Sequence, residues 1–143
     1  QLNPSSYEFS CSNLKSLKKI KTKEFPGYPT DLQAQLIASL LKVGQKSKIT
    51  ENIFENRFIH IPELRRFGAQ LDIDGNTVVV NKTNDLFGAE VMATDIRASF
   101  SLIIAAIISK GTTTINRIYH LDRGYEDFDL KLKKCGVNIK RKK

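Results

Sequence analysis

The chain has 143 residues, 41% of them hydrophobic and 27% charged, a balance that excludes intrinsic disorder and allows one ordinary core or two small ones. Its longest uncharged apolar run, Phe100 to Ser109, falls well short of the ~20 residues a membrane-spanning helix needs, and the polar first residues carry no signal-peptide pattern. The net charge of +8 raises nucleic acid, a membrane surface or an anionic small molecule as partners. Much of that excess is terminal, with Lys15, Lys18, Lys19, Lys21 and Lys23 at one end and Lys131, Lys133, Lys134, Lys140, Arg141, Lys142 and Lys143 at the other. Such runs read as solvated faces. Cys11 and Cys135 lie too far apart, and too far from any histidine pattern, for a disulfide framework or a zinc site, so a reduced, cytoplasmic setting is expected. The only methionine is Met92, and the sequence reads as a fragment or a trimmed product.

Residues 1–13 lack periodicity and read as an irregular lead-in. Leu14, Leu17 and Ile20 alternate with lysines as a short extended segment. Phe25-Pro-Gly-Tyr-Pro is a rigid turn. Thr30 has the chemistry of a helix N-cap, with Gln33 three residues on to complete a capping box. Leu32, Leu36, Leu40 and Val43 then recur at helical spacing up to Gly44, a left-handed stop. Lys48 to Glu51 reads as a strand. His60 to Gly68 reads as a short helix with Pro62 in its first turn. Leu71 to Ile73 and Thr77 to Val80 are strands joined through Asp74-Gly75, a hairpin signal.

The second half repeats this order. Thr94 opens a helix whose apolar positions are Ile96, Phe100, Ile103, Ile104 and Ile107, with Gly111 as its end. Thr112 to Ile115 is a β-branched strand. Asp122 caps a further helix with Phe128, Leu130 and Leu132 as apolar positions and Gly136 as its stop, and Val137 to Lys140 is a closing strand. Thr30-Asp-Leu-Gln-Ala-Gln mirrors Thr94-Asp-Ile-Arg-Ala-Ser, and Gly44, Arg57 and Gly68 mirror Gly111, Arg123 and Gly136, at offsets of 64 to 68 residues. The chain is therefore expected to contain two copies of one unit built from strands and two helices, over residues 14–86 and 87–143. Units this small bury their faces against neighbouring copies.

Two readings stand for Asp31 and Asp95, each at a helix start. A carboxylate there complements the helix dipole, and it can equally be a catalytic base aimed at a substrate hydroxyl. Arg57, Arg97, Arg117 and Arg123 lie near element ends. Arg123, between Asp122 and Gly124, suits a phosphate or carboxylate at a helix N-terminus, or an internal ion pair with its neighbour. His60 and His120 occupy matching places in the two copies and read as structural. Cys135, beside a helix-stopping glycine, reads as packing. The sequence contains no P-loop, dinucleotide fingerprint, zinc-protease motif or nucleophile elbow, and nucleic-acid binding would rest on net charge alone.

Four segments in order carry a resemblance: Phe25-Pro-Gly-Tyr-Pro-Thr-Asp-Leu-Gln-Ala-Gln, Thr50-Glu-Asn-Ile-Phe-Glu-Asn-Arg-Phe, Met92-Ala-Thr-Asp-Ile-Arg-Ala-Ser and Arg117-Ile-Tyr-His-Leu-Asp-Arg-Gly-Tyr-Glu. From about Leu14 to Lys140 the chain resembles the enolpyruvyl transferases, and among them the UDP-N-acetylglucosamine 1-carboxyvinyltransferases of peptidoglycan synthesis rather than the shikimate-pathway enzymes. The resemblance implies an α+β fold, two repeat units of an inside-out α/β barrel, or prism, in which each of two domains holds three βαβαββ-like copies. It implies transfer of the enolpyruvyl group of phosphoenolpyruvate to the 3-hydroxyl of UDP-N-acetylglucosamine with release of phosphate, a step serving cell-wall biogenesis, cell shape and division.

By the same resemblance Asp31 is the carboxylate that contacts and deprotonates the hydroxyl, Ile53 a backbone contact to the UDP-sugar, and Arg123 an arginine that binds phosphoenolpyruvate. Asp95 and Arg97 form an inter-domain pair near the reacting carbons, and Arg57 is a further active-site arginine. No cofactor, metal, membrane or nucleic acid is implied. The family's loop cysteine and N-terminal lysine belong to parts preceding this segment, and Cys11, without the loop's sequence around it, is not given that role. The expected partner is the remainder of the enzyme, without which the segment is inactive. A non-catalytic remnant or interaction module that keeps the fold is the alternative.

Overall fold

The computed structural model describes residues 17–43 and 45–142. The lead-in over residues 1–13 with Cys11, the start of the first extended segment at Leu14, and the helix stop at Gly44 lie outside the described residues. In chain order the elements are β1 (Lys19–Lys21), α1 (Gln33–Leu40), β2 (Ser47–Thr50), α2 (Ile61–Arg66), β3 (Leu71–Asp74), β4 (Thr77–Val80), β5 (Glu90–Met92), α3 (Ile96–Ile108), β6 (Thr114–Asn116), α4 (Tyr119–Asp122) and α5 (Phe128–Lys134).

The first four strands form one sheet in the order β1-β2-β4-β3. β1 and β2 are parallel, with Ile20 opposite Ile49, and α1 provides the crossover that a parallel pair requires. β2 and β4 are antiparallel, and β3 and β4 form the expected hairpin, with Ile73 opposite Val78 and Gly75 at φ +54° in the turn. β5 and β6 make a second, two-stranded parallel sheet, Val91 opposite Ile115, with α3 as its crossover. Strand β5 has no counterpart among the sequence expectations. It is only three residues long, too short for a period of two to register.

Both halves of the chain close over one core. Ile37 and Leu41 from the α1 segment, Ile49 of β2, Ile61, Leu64 and Phe67 from the α2 segment, Val78 of β4 and Leu102 of α3 are all fully buried. Each such side chain contributes about 1.5–3 kcal/mol relative to exposure. α1 packs along α3. The buried residues include many small ones, Ala34 and Ala38 on α1 and Ala98, Ser99, Ser101 and Ala105 on α3, which lets two helices approach closely. A smaller cluster of Ile103, Leu121 and Phe128, flanked by Phe100, Tyr125 and Ile139, seats α4 and α5.

Several expectations are corrected. The capping box at Thr30 does not form: residues Thr30–Leu32 make a 3-10 turn, the Thr30 hydroxyl donates to Glu51 Oε2 at 2.8 Å, and the Gln33 side-chain amide is buried without a hydrogen-bond partner. The inward face of α1 is Ala34, Ile37, Ala38 and Leu40, while Leu32 is half exposed. Helix α3 is capped by Asp95 rather than by Thr94, and Ile96 and Ile107 are exposed. Asp122 ends α4 instead of capping α5, which begins after Asp127. Residues 137–140 form no strand, since no described strand pairs with them. Cys135 is exposed and not packed.

Candidate active site

The Phe25–Pro29 turn, with a cis Phe25–Pro26 peptide, delivers the chain into the 3-10 turn that carries Asp31. The Asp31 side chain is 76% exposed and caps no backbone group. Its Oδ1 lies 3.6 Å from Nη1 of Arg57. Arg57 sits on the loop between β2 and α2, just after Asn56, whose φ of +54° turns the chain. Its guanidinium lies 4.2 Å from the centroid of the Phe54 ring, a cation–π contact that leaves the side chain 19% exposed and restrains it.

The second Thr-Asp motif is used differently. Asp95 Oδ1 accepts from the backbone amides of Arg97 at 2.8 Å and Ala98 at 3.0 Å, an N-cap. Nε of Arg97 stands 3.7 Å from the same oxygen. Asp31, Leu32, Gln35, Arg57, Ile96, Arg97 and Tyr125 line one cleft of about 490 Å³. Tyr125 stacks on Phe100, centroids 4.9 Å apart. Gly124 leaves the room that Ile96 occupies, since a Cβ there would collide with the end of that side chain. Two arginines and an exposed carboxylate in one cleft suit an anionic ligand that also carries a hydroxyl.

A broader concavity of about 800 Å³ adjoins it, lined by the loop from Glu51 to Ile59 with Ile73, Gly75 and Asn76, and shares Arg57 with the first. Ile53 belongs here. Its amide donates to Glu51 Oε1 at 2.9 Å, which leaves its carbonyl as the backbone group for a ligand. Of the six residues singled out from the sequence, Asp31, Arg57 and Arg97 therefore meet in one cleft, Asp95 anchors the base of Arg97, and Ile53 lines the neighbouring space. Arg123 stands outside the lining, exposed at the end of α4, two residues from Tyr125. It forms no ion pair with Asp122, whose carboxylate takes a two-pronged contact from Arg141 at 2.7 and 3.0 Å that holds it below the usual carboxylate range.

Glu51, which no sequence motif singles out, ties the Asp31 turn to the loop that carries Arg57. Its side chain is buried and accepts from the hydroxyls of Thr22 and Thr30 and the amides of Ile53 and Phe54. Burial alone would raise its pKa; the hydrogen bonds outweigh it and hold the carboxyl below its ordinary value. Ser47 and Ile49 of β2 and Glu51 just beyond its end continue one buried alternation, and a carboxylate at such a position needs hydrogen-bond partners. His60 is buried, within reach of the charges of Asp95 and Arg97. Burial pushes its pKa down to about 4, with the Asp95 charge opposing and the Arg97 charge adding to the shift. Its Nε2 and that of His120 have no partner. Among the described residues no group of three or more His, Cys, Asp or Glu is placed to hold a metal, and no helix is long and apolar enough to cross a membrane.

The fold is that of the enolpyruvyl transferases. The enolpyruvyl transferase NikO from Streptomyces tendae superposes with a TM-score of 0.78 at 30% identity, over 85% of this chain and 28% of its own. The profile of EPSP synthase (3-phosphoshikimate 1-carboxyvinyltransferase) matches residues 9–132, and the chain belongs to that family. Within it, UDP-N-acetylglucosamine 1-carboxyvinyltransferases of Rhodopseudomonas palustris (strain TIE-1) and Pelagibacter ubique (strain HTCC1062) are 56% and 57% identical to it over 122 residues, 85% of this chain. The chain spans 28% and 29% of the length of these two relatives.

Proposed function

We propose that this chain is the C-terminal part of a transferase that moves the enolpyruvyl group of phosphoenolpyruvate to the 3-hydroxyl of UDP-N-acetylglucosamine, releasing phosphate, in the cytoplasmic committing step of peptidoglycan synthesis. The observation that carries the reading is the meeting of Asp31, Arg57 and Arg97 in one cleft, on a chain 56% identical to enzymes named for that reaction. Residues 14–86 and 87–143 serve as two of the repeated units of one domain, each with a helix crossing between parallel strands.

In this reading the sugar hydroxyl lies against Asp31, whose exposed carboxylate engages no backbone amide and is available to take its proton. The hydroxyl oxygen adds to C2 of phosphoenolpyruvate as C3 gains a proton. The resulting tetrahedral ketal collapses with loss of a C3 proton and of phosphate, restoring the double bond. Arg57 and Arg97 hold the negative charge of carboxylate and phosphate through these steps, and Arg123 joins them when the phosphoenolpyruvate end is covered. The Ile53 carbonyl holds the UDP-sugar in the wider concavity. The acid for C3 belongs to the remainder of the enzyme, which closes the other wall of the cleft.

The test is Asp31→Asn in a complete enzyme carrying this segment, with phosphate release and UDP-sugar binding measured side by side. Turnover is expected to fall about 10²- to 10⁴-fold while sugar binding changes far less, because the amide keeps the shape and loses the base. Unchanged turnover would remove Asp31 from the chemistry. No turnover in the unsubstituted enzyme would leave the fold-keeping remnant as the reading.

A further inference from the structure

The Glu51 side chain gathers three stretches of chain: the end of β1 at Thr22, the turn at Thr30 and the loop over Ile53 and Phe54. Its Oε1 accepts from Thr22 Oγ1 at 2.7 Å, the Ile53 amide at 2.9 Å and the Phe54 amide at 3.3 Å, and its Oε2 accepts from Thr30 Oγ1 at 2.8 Å. Thr22 in turn accepts from the Asn52 amide at 2.8 Å. Thr30 immediately precedes Asp31, and Phe54 is the ring under the Arg57 guanidinium. The sheet itself does not need this carboxylate, since Thr22 and Glu51 already donate their backbone amides to Thr50 and Asn76. Four donors converging on one side chain call for an ionised carboxylate, the one group here with acceptor sites for all of them.

We infer that Glu51 is a positioning residue of the site: it fixes Asp31 against Arg57 by holding, on one buried carboxylate, the residue before the first and the loop that supports the second. Neither Asp31 nor Arg57 touches Glu51, so the action passes through Thr30 on one side and through Ile53 and Phe54 on the other. The two functional side chains come from segments more than twenty residues apart in sequence, and their separation of 3.6 Å is set where those segments are tied. The same ties orient the Ile53 carbonyl, because its peptide neighbours are held from below. The catalytic consequence rests on the proposed function; the positioning itself rests on geometry alone.

The experiment compares Glu51→Ala, Glu51→Gln and Thr30→Val in a complete enzyme carrying this segment, reading amide hydrogen exchange and steady-state kinetics together. Thr30→Val cuts only the tie to the Asp31 turn, and Glu51→Gln keeps the shape, so the test survives if Glu51→Ala fails to fold. Exchange at the Ile53 and Phe54 amides is expected to rise at least about tenfold in Glu51→Ala, or by a smaller measurable amount in Glu51→Gln, with core amides such as Ile37 and Leu102 unaltered. In Thr30→Val kcat is expected to fall on the order of 10-fold to 10²-fold with KM nearly constant, the mark of a displaced base, and in Glu51→Gln the same fall in kcat is expected with a rise in KM for the UDP-sugar, whose Ile53 contact is loosened as well. Unchanged exchange in both Glu51 variants overturns the inference, as does faster exchange with kcat and KM both intact. If the unsubstituted enzyme shows no turnover, that failure belongs to the functional reading, and exchange at Ile53 and Phe54 decides the positioning.

Discussion

Asp31 and Asp95 follow a threonine in the same short motif, yet their oxygens do different work. Asp95 closes the first turn of α3, so Asp95→Ala is expected to destabilise the protein by about 1 kcal/mol. Asp31→Ala, which removes no cap and one exposed contact, is expected to stay within about 0.5 kcal/mol. Chemical denaturation of the two variants side by side checks this, and equal losses would contradict it. His60 adds a pH dependence. Its folded pKa of about 4 lies below its unfolded value of 6.5, so between these the unfolded chain binds the extra proton. Stability therefore falls as pH drops through that window, by up to about 1.4 kcal/mol per pH unit. His60→Leu is expected to flatten the slope between pH 6.5 and 5, and an unaltered slope would place its origin elsewhere. Glu51 acts lower: its folded pKa is depressed, so its contribution is present above the ordinary carboxylate value and lost as pH falls through the depressed one.

The short elements are held by backbone closeness and by side chains reaching across. Gly88 shows the first. Its amide donates to the Lys110 carbonyl at 2.7 Å, and a Cβ on it would collide with backbone atoms of Thr112, which cannot swing aside. Gly88→Ala is expected to cost about 1–3 kcal/mol, measured as a lowered denaturation midpoint, whereas Gly75→Ala, with open space around its Cβ, meets only its φ of +54°. The C-terminal stretch shows the second. It carries a β-branched pattern, but none of the described strands pairs with it, and Arg141 instead ties it to Asp122 and Asp129. Local preference proposes a strand, and only a neighbour supplies its hydrogen bonds.

The chain spans little more than a quarter of its relatives, and its surface carries large apolar side chains, among them Phe25, Phe87, Ile96, Ile107 and Leu130. Ile96 also lines the candidate cleft, so part of this apolar surface belongs to the site. Under the proposed function the other wall of the cleft belongs to the remainder of the enzyme, so the isolated chain is expected to show no transferase turnover; its exposed apolar side chains are expected to bind a hydrophobic dye or drive self-association. Sedimentation as a compact monomer without dye binding would contradict the second expectation, and phosphate release above background the first.

Read residue by residue, the sequence already placed the α1 region, β2, α2, the β3–β4 hairpin, α3 and β6 to within a few positions, because periodicity and turn chemistry are local. It also named the acidic and basic residues now found around the cleft, through a resemblance carried by four short motifs. Tertiary structure decided the rest. Thr30 looked like a cap and became a donor to Glu51, since a buried carboxylate outcompetes a helix end for a hydroxyl. Leu32, Ile96 and Ile107 kept helical spacing and still faced outward, since which stripe is buried depends on the helix packed beside it. Asp31 reached Arg57 only because distant segments converge on one side chain, and such a distance is a property of the folded chain that no local pattern encodes.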